Sequence, residues 1–371
     1  MFKRLPVAAS AAVLLWTVTA AWTADIRVGF INPTGPPAFW NQVIATMRAA
    51  ATELGIDVEI RETERSRDKA VAFAKEFANR RPALDYLIAT SDVDAGGEII
   101  KIADAAHLKL IFLNNDLDKK QWVEYGEPRT KYQSWLGSIT PDHEGAGYGI
   151  ATAILTKAAG LKTNRPLKVL ALAGDAATPA SLERVQGLKR GIDVMTNLLG
   201  PGSVELVEVR YLDWTSATAE ASVREFSQTG PRIDALWAAN DPMALGAMTA
   251  LRERGYAPGK DVLIGGLNWS QDAVDKVLSG EMVLTHGGHF LQGAWAMVIL
   301  RDHYDGRDFA EEDVRLQVPM GAIDLPIARR FPEIGKMDWR KVDFTKFSKT
   351  RNPAVSHYEF TPDAVIAYLA H

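Results

Sequence analysis

Side chains that can bind a small polar molecule stand directly after several β-rich runs of this sequence. Aromatic rings can stack on the C–H face of a sugar or on an apolar ring, and polar side chains can exchange hydrogen bonds with hydroxyl groups. The candidates of these two kinds are Phe39, Trp40, Ser91, Asp92, Asn114, Asn115, Arg184, Trp214, Asn240, Asn268 and His286. Because no nucleophile–base pair is evident among them, the chemistry they suggest is non-covalent recognition.

Several of these residues also have a purely structural interpretation. Phe39 recurs at helical spacing with later apolar residues, which predicts a place in the core. Trp40 lies on another helix face and suits the core and a ligand equally. The polar pairs at 91–92 and 114–115 also suit helix N-caps and turns. Arg184 is either a charged donor to a ligand or a solvated helix residue.

Metal and enzyme functions find little support in the sequence. His286 and His289 are three residues apart, but the chain has no cysteine and no obvious carboxylate partner for them. Nucleophile-elbow, P-loop and H-E-x-x-H motifs are absent. The glycines at 145, 147 and 149 have the wrong spacing for a phosphate-binding loop. We therefore expect a protein that is not an enzyme and has no metal and no cofactor.

The elements that must position these side chains alternate between strands and helices. Apolar or β-rich runs predict strands at 25–31, 56–60, 84–90, 108–113, 135–139, 167–173, 204–211, 233–238, 262–265 and 282–285. Amphipathic helices are predicted between them, for example over 92–106. Repeated strand–helix units indicate parallel sheets with right-handed crossovers. We favour an α/β fold of two open sheets over a barrel, since no run of eight equal units is evident.

The N-terminus has the pattern of a secretory signal peptide. Lys3 and Arg4 precede an apolar run over 5–21, and small residues follow it. A membrane anchor is the alternative, although the run is short for one. We expect cleavage between about residues 20 and 25, a signal peptide over 1–24 and a periplasmic mature chain. Without cysteine, that chain has neither a lipid-anchoring cysteine nor a disulfide.

The charge and length of the chain limit the kinds of partner that it can bind. The 371 residues include 42 basic and 46 acidic side chains, a formal charge of −4, so there is no basic footprint for nucleic acid. The length left after the signal peptide suggests two domains. A protein with one binding cleft is expected to be a monomer with a small-molecule ligand.

The strand-end residues resemble those of the type I periplasmic solute-binding proteins, the ribose-binding-protein-like family. The best local match is LWAANDPMALGAM at 236–248, where the family's ligand-binding asparagine falls on Asn240. The paired aromatics fall on Phe39 and Trp40, and the second-lobe aromatic falls on Trp214. In the same segment the sequence favours Asp241 as the helix N-cap.

This resemblance implies two Rossmann-like lobes with parallel sheets, joined by a three-stranded hinge. Lobe one would comprise 25–138 plus 287–311. Lobe two would comprise 139–286 plus 312–325, with crossings near 138–141, 285–289 and 310–314. The aromatic spacing of the C-terminal extension over 326–371 predicts that it packs across both lobes, with contact to a membrane partner as the alternative.

The chain departs from the sugar-binding pattern of this family at several positions. Asn114 and Asn115 stand in place of an Asp-Arg pair, and Asn268 stands in place of a carboxylate. The family's glutamine near the last crossover falls on His286 or Gly287. Its second-lobe arginine matches Arg184 or, in another register, Leu182.

The resemblance implies hinge closure on a small, sugar-like ligand, followed by its delivery to a membrane ABC permease. The first lobe also resembles the periplasmic autoinducer-2 receptor, through 84–92, 110–114 and Trp40. That likeness implies the alternative of a sensory receptor that presents an autoinducer-like, less polar or even lipid-like ligand to a membrane sensor kinase. Gly35 and Pro37 stand where that receptor has polar residues, which argues against the same ligand.

Overall fold

The computed structural model describes residues 24–33, 37–160 and 165–369. The predicted signal peptide, apart from Ala24, and Gly35 lie outside the described residues. Within the described ranges, no helix is long and apolar enough to cross a membrane.

Twelve strands form the framework of the described chain. They are β1 Ile26–Asn32, β2 Ile56–Glu62, β3 Tyr86–Ala89, β4 Lys109–Leu113, β5 Trp135–Pro141, β6 Leu167–Ala173, β7 Val204–Tyr211, β8 Ala235–Ala238, β9 Leu263–Leu267, β10 Leu284–Gly287, β11 Arg315–Val318 and β12 Gly321–Asp324. They form two six-stranded sheets, in the orders β11-β5-β4-β3-β1-β2 and β12-β10-β9-β8-β6-β7. All neighbours are parallel except β10 and β12. The predicted α/β fold with two parallel sheets is confirmed.

Helices cover both faces of each sheet. They are α1 Pro37–Leu54, α2 Arg67–Ala78, α3 Gly96–Ala105, α4 Lys119–Tyr125, α5 His143–Ala159, α6 Pro179–Leu199, α7 Ser216–Thr229, α8 Asp241–Glu253, α9 Gln271–Leu278, α10 Gln292–Tyr304, α11 Leu325–Arg330 and α12 Pro362–Leu369. We call the first sheet with α1 to α4 and α10 the first lobe, and the second sheet with α5 to α9 and α11 the second lobe. Central strands such as β3, β8 and β9 are buried throughout, which explains their unbroken apolar sequences.

The chain crosses between the two sheets three times. It leaves the first sheet after β5, returns after β10 and crosses again between β11 and β12. The prediction that residues 312–325 belong entirely to the second lobe is wrong, because β11 pairs with β5 in the first sheet. The sequence RLQV alternates exposed and buried residues, which suits an edge strand that supplies backbone partners to β5. The last crossing therefore lies between 318 and 321.

The structure differs from the sequence-based prediction at two local elements. The helix predicted over 92–106 begins only at Gly96, because Val93 and Asp94 adopt positive φ angles of 47° and 58°. The sequence analysis did not predict α4. Its signal was a capping box, in which Asp118 accepts from the backbone of Gln121 and the Gln121 side chain accepts from the backbone N–H of Asp118.

The C-terminal extension contacts elements of both lobes. Gly335 O accepts from the side chain of Gln42 on α1, and Pro332 O accepts from the side chain of Gln271 on α9. Further along, Trp295 of α10 packs against three rings of the extension, Phe344, Phe347 and Phe360. The extension thus completes the core beside α1 and α10.

Candidate ligand-binding cleft

A cleft lies between the lobes, at the carboxyl ends of the strands. It encloses about 440 Å³ including its opening to solvent. Its lining residues are Phe39, Trp40, Arg65, Asp92, Asn114, Asn115, Thr178, Ala180, Arg184, Trp214, Asn240, Asn268 and His289. Nine of the eleven candidate residues are in this set. The parallel sheets explain the convergence, because the ends of all their parallel strands face the same gap.

Three aromatic rings line the cleft from both lobes. Trp40 is 4 % exposed and packs edge-on against Phe39, with ring centroids 5.2 Å apart. Phe39 is half-buried, packs against the core and stacks on His289 at 4.4 Å, so its ring contacts the core and also lines the cleft. It stands in the first turn of α1, where the helix extends beyond the sheet end. Trp214 faces from the second lobe, and its Nε1 donates to Asp175 at 2.8 Å.

The first-lobe wall carries a buried carboxyl–amide network. Asp92 is 6 % exposed and accepts from Asn115 Nδ2 at 2.8 Å. Burial raises the pKa of Asp92, although the hydrogen bond from Asn115 and the charge of Arg65 lower it in part. Asn115 Oδ1 is buried and has no hydrogen-bond partner among the described residues. A ligand hydroxyl could satisfy this acceptor.

Asn114 is held in an unusual backbone conformation by Gln292. Its φ angle is +67°, a region that asparagine tolerates better than most residues. Its backbone N–H donates to Gln292 Oε1 at 3.0 Å, and its side-chain oxygen accepts from Gln292 Nε2 at 2.9 Å. This pairing leaves the Asn114 side-chain amide N–H groups as the donors available to the cleft.

Arg184 is the charged group of the second-lobe wall. It is 4 % exposed and donates to Ala239 O at 2.8 Å and to His143 Nδ1 at 3.2 to 3.3 Å. Its guanidinium carbon lies 5.5 Å from the centroid of the Trp214 ring. Burial lowers the pKa of Arg184 to about 9. Arg184 is therefore a buried donor of the cleft, not a solvated helix residue.

His143 links Arg184 to the opposite lobe. Its Nε2 lies 3.2 Å from Asn114 O, while its Nδ1 accepts from Arg184. The imidazole is therefore neutral with its proton on Nε2, which donates to the Asn114 carbonyl. Burial, together with the charge of Arg184, lowers the pKa of His143 well below its usual value.

Asn240 and Asn268 both line the second-lobe wall, and Asn240 also caps a helix. Asn240 is the N-cap of α8, accepting from Met243 N at 2.9 Å, so the expected N-cap role of Asp241 is wrong. Asp241 instead lies in the first turn, where its buried carboxylate accepts from Ser270 and Thr285. Asn240 Nδ2 also donates to Trp214 O, which leaves it one N–H for a ligand.

Two candidate residues do not line the cleft. Ser91 is buried with its hydroxyl against Gly96, and it lines a separate surface depression. His286 lies on β10 with its ring against Gly149 of α5, because the inward face of this strand packs on that helix. Burial lowers the pKa of His286 to about 4. Neither side chain reaches the ligand space of the cleft.

Four lining residues are not among the candidates predicted from the sequence. Arg65 follows β2, and its backbone has a positive φ of 57°. Thr178 and Ala180 flank the start of α6. For the pair of His286 and His289 the sequence favoured a polar ligand contact or a hinge role over a metal site, and the place of His289 directly after β10 was a usable signal. Within the described residues, no group of three or more potential metal ligands occurs.

Comparison with known proteins agrees with this architecture. The model of the family described as "Periplasmic binding protein domain" matches residues 28–308. The chain belongs to this family. The predicted resemblance to the type I, ribose-binding-protein-like members is confirmed.

Relatives of this periplasmic binding protein match along most of its length. It is 22 % identical to the galactofuranose-binding protein YtfQ of Escherichia coli over 286 residues, covering 76 % of this chain and 82 % of the relative. It is 25 % identical to the ribose import binding protein RbsB of Escherichia coli over 284 residues, covering 76 % and 86 %. A solved structure described as a periplasmic sugar-binding protein from Pseudomonas fluorescens is 29 % identical and superposes with a TM-score of 0.81, covering 92 % of this chain and 99 % of that one.

Proposed function

We propose that this protein is a periplasmic receptor that captures a small, sugar-like ligand between its lobes and delivers it, chemically unchanged, to an ABC permease. The observation that carries the proposal is the convergence of stacking rings and buried hydrogen-bonding groups from both lobes on one cleft. Two relatives are named for binding galactofuranose and for importing ribose, and these names support a sugar-like ligand.

Each lobe contributes a stacking ring and polar groups that the other lobe lacks. The first lobe offers Trp40 and the Asp92–Asn115 network, whereas the second offers Trp214 and Arg184. A ligand that bridges the two walls gains both sets of contacts only when the lobes are together. Ligand binding therefore favours the closed state, because its affinity for that state is higher.

Closure is also supported by bonds between the lobes themselves. His143 donates across the gap to Asn114 O, and Arg65 Nη1 lies 3.7 Å from Asp175 Oδ2. These two contacts are polar and contribute little free energy. The closed state therefore becomes the predominant one only when the bound ligand adds its own contacts. A permease that recognises the two lobe surfaces together would then distinguish loaded from empty receptor. A sensor kinase as partner stays a prediction from the resemblance of the first lobe.

A calorimetric titration of the mature protein with neutral pentoses and hexoses and their sugar acids tests the proposal. We expect a member of this panel to bind with one-to-one stoichiometry and to raise the melting temperature. At a concentration 100 times its Kd, the ligand should stabilise the protein by about 2.7 kcal/mol.

A matched pair of variants locates the binding. Trp40→Ala should abolish the calorimetric signal, whereas Val123→Ala, at a residue 88 % exposed on α4, should leave it unchanged. Binding that persists in Trp40→Ala, or a panel in which no member binds, would contradict the proposed function.

A further inference from the structure

The charged groups that line the cleft are unequal in number. Two guanidinium groups, Arg65 and Arg184, face it, against the single carboxyl group of Asp92. Arg65 is paired with Asp175, a residue outside the lining. The second-lobe part of the lining carries the guanidinium group of Arg184 and no carboxyl group, so this wall has an excess of positive charge.

Arg184 has only neutral partners in the described parts of the chain. Its hydrogen bonds go to a carbonyl oxygen and to a neutral imidazole, and its cation faces the Trp214 ring. Glu183 is its neighbour in sequence and affects it electrostatically, but the two side chains form no ion pair, and Glu183 lines a different cavity. A buried cation without a counter-charge is unfavourable, and a carboxylate is the partner that compensates it best.

The donors of Arg184 are also only partly used. A guanidinium carries five N–H groups, and the protein contacts engage Nε and one hydrogen on each terminal nitrogen. One N–H on each terminal nitrogen remains, and a carboxylate can engage two guanidinium N–H groups in bidentate fashion. Asn240 Nδ2 adds a further donor on the same wall.

The opposite wall has the complementary chemistry for hydroxyl groups. Asp92 has acceptor capacity beyond its bond from Asn115, and Asn115 Oδ1 is a buried acceptor without a partner among the described residues. These groups suit O–H donors and disfavour a second carboxylate. The two walls of the cleft therefore differ, with anion-binding donors on the second lobe and hydroxyl-binding acceptors on the first.

We infer that the ligand is a monocarboxylate sugar acid, of aldonate or uronate type, whose carboxylate is bound by Arg184 and whose hydroxyl groups face Asp92 and Asn115. This inference rests on the proposed receptor function and names the class of its ligand. The carboxylate would neutralise the buried guanidinium when the lobes close, so the charged ligand gains more from closure than its neutral parent sugar.

Paired calorimetric titrations test this inference. The probes are D-ribonate with D-ribose, D-galactonate with D-galactose, and D-galacturonate with D-galactose, at one salt concentration. We expect at least one acid to bind about tenfold or more tightly than its neutral partner. In Arg184→Gln, the affinity for that acid should fall about 30-fold or more, and the difference between acid and neutral sugar should disappear.

Arg190→Gln is the matched control, because Arg190 lies on the same helix but is exposed and paired with Glu144. It should leave the preference for the acid intact. The comparison within the unaltered protein does not depend on whether Arg184→Gln folds. Neutral sugars that bind more tightly than every acid would overturn the inference and leave the receptor function standing. If neither the acids nor the neutral sugars bind, the result would contradict both this inference and the proposed receptor function.

Discussion

Arg65 of the first lobe and Asp175 of the second form an ion pair across the cleft, with 3.7 Å between Nη1 and Oδ2. Asp175 also accepts from Thr178 and from Trp214, so the pair connects a first-lobe turn to a stacking ring of the other lobe. The contact depends on lobe closure, since the two residues lie beyond the ends of different sheets.

Arg65→Gln should therefore weaken closure modestly. Both side chains are about one-third exposed, so the pair contributes at most about 1 kcal/mol and ligand affinity should fall by up to about fivefold. Small-angle scattering of the ligand-free variant should show a larger radius of gyration. Arg67→Gln, which removes an ion pair to Glu98 within the first lobe, is the control. Equal effects of the two substitutions would argue against a role for Arg65 in closure.

Trp214→Ala should reduce ligand affinity much more strongly. The ring is 6 % exposed, lies against Gly174 and lines the cleft, and truncating such an aromatic costs about 2 kcal/mol or more. Trp214→Phe keeps a ring but loses the bond to Asp175, so its affinity should be intermediate. Calorimetric titration measures both, with exposed Tyr211→Ala as the control. Unchanged affinity in Trp214→Ala would show that this ring does not contribute to ligand binding.

Asp241→Ala should destabilise the second lobe. The carboxylate is fully buried and accepts from Ser270 N, Ser270 Oγ and Thr285 Oγ1 at 2.8 to 2.9 Å. Its removal leaves buried donors without an acceptor, which we expect to lower the free energy of unfolding by about 2–4 kcal/mol. Urea denaturation measures this loss. Asp272→Ala, at an exposed position of α9, should lower the free energy of unfolding only slightly. Similar losses in the two variants would contradict the structural role of Asp241.

His286 should make the folded protein sensitive to acid. Its pKa is lowered to about 4 by burial, so below about pH 6.5 the unfolded chain takes up a proton before the folded one does. The stability that this neutral histidine contributes is complete above pH 6.5 and is lost as the pH falls towards 4, by an amount of about 1–3 kcal/mol.

Other groups oppose this effect, because burial raises the pKa of Asp116 and of Asp241 to about 6. Comparing His286→Gln with the unaltered protein isolates the contribution of His286. Chemical denaturation at pH 7 and pH 4.5 should show a smaller loss of stability in the variant. His357→Gln, at an exposed position, should behave like the unaltered protein. A variant that is just as acid-sensitive would contradict the prediction.

Phe344→Ala should show that the C-terminal extension is part of the core. Phe344 is fully buried, packs edge-on against Trp295 at 5.9 Å and donates its backbone N–H to Glu53. We expect a loss of about 3–5 kcal/mol in unfolding free energy by urea denaturation. Leu198→Ala, at a residue 73 % exposed, should change it by less than about 0.5 kcal/mol. Equal stability of the two variants would place the extension outside the cooperative unit.

The sequence by itself determined the α/β class and most of the cleft. Apolar runs such as those of β4 and β6 are characteristic of strands buried on both faces, and this pattern can be recognised in the sequence alone. Polar residues after parallel strands must meet at one edge, so Asp92, Asn114 and Asn240 could be predicted without knowing any distance.

Only the tertiary structure decided which of these side chains face the ligand space and what their partners are. His286 and His289 are three residues apart, yet one packs on a helix and the other lines the cleft, because the turn after β10 reorients the chain. The pairing of β11 with β5, the ion pair of Arg65 with Asp175 and the burial of Arg184 beside neutral partners all depend on residues distant in sequence. Such relationships leave no local pattern, since they arise from packing and desolvation between elements.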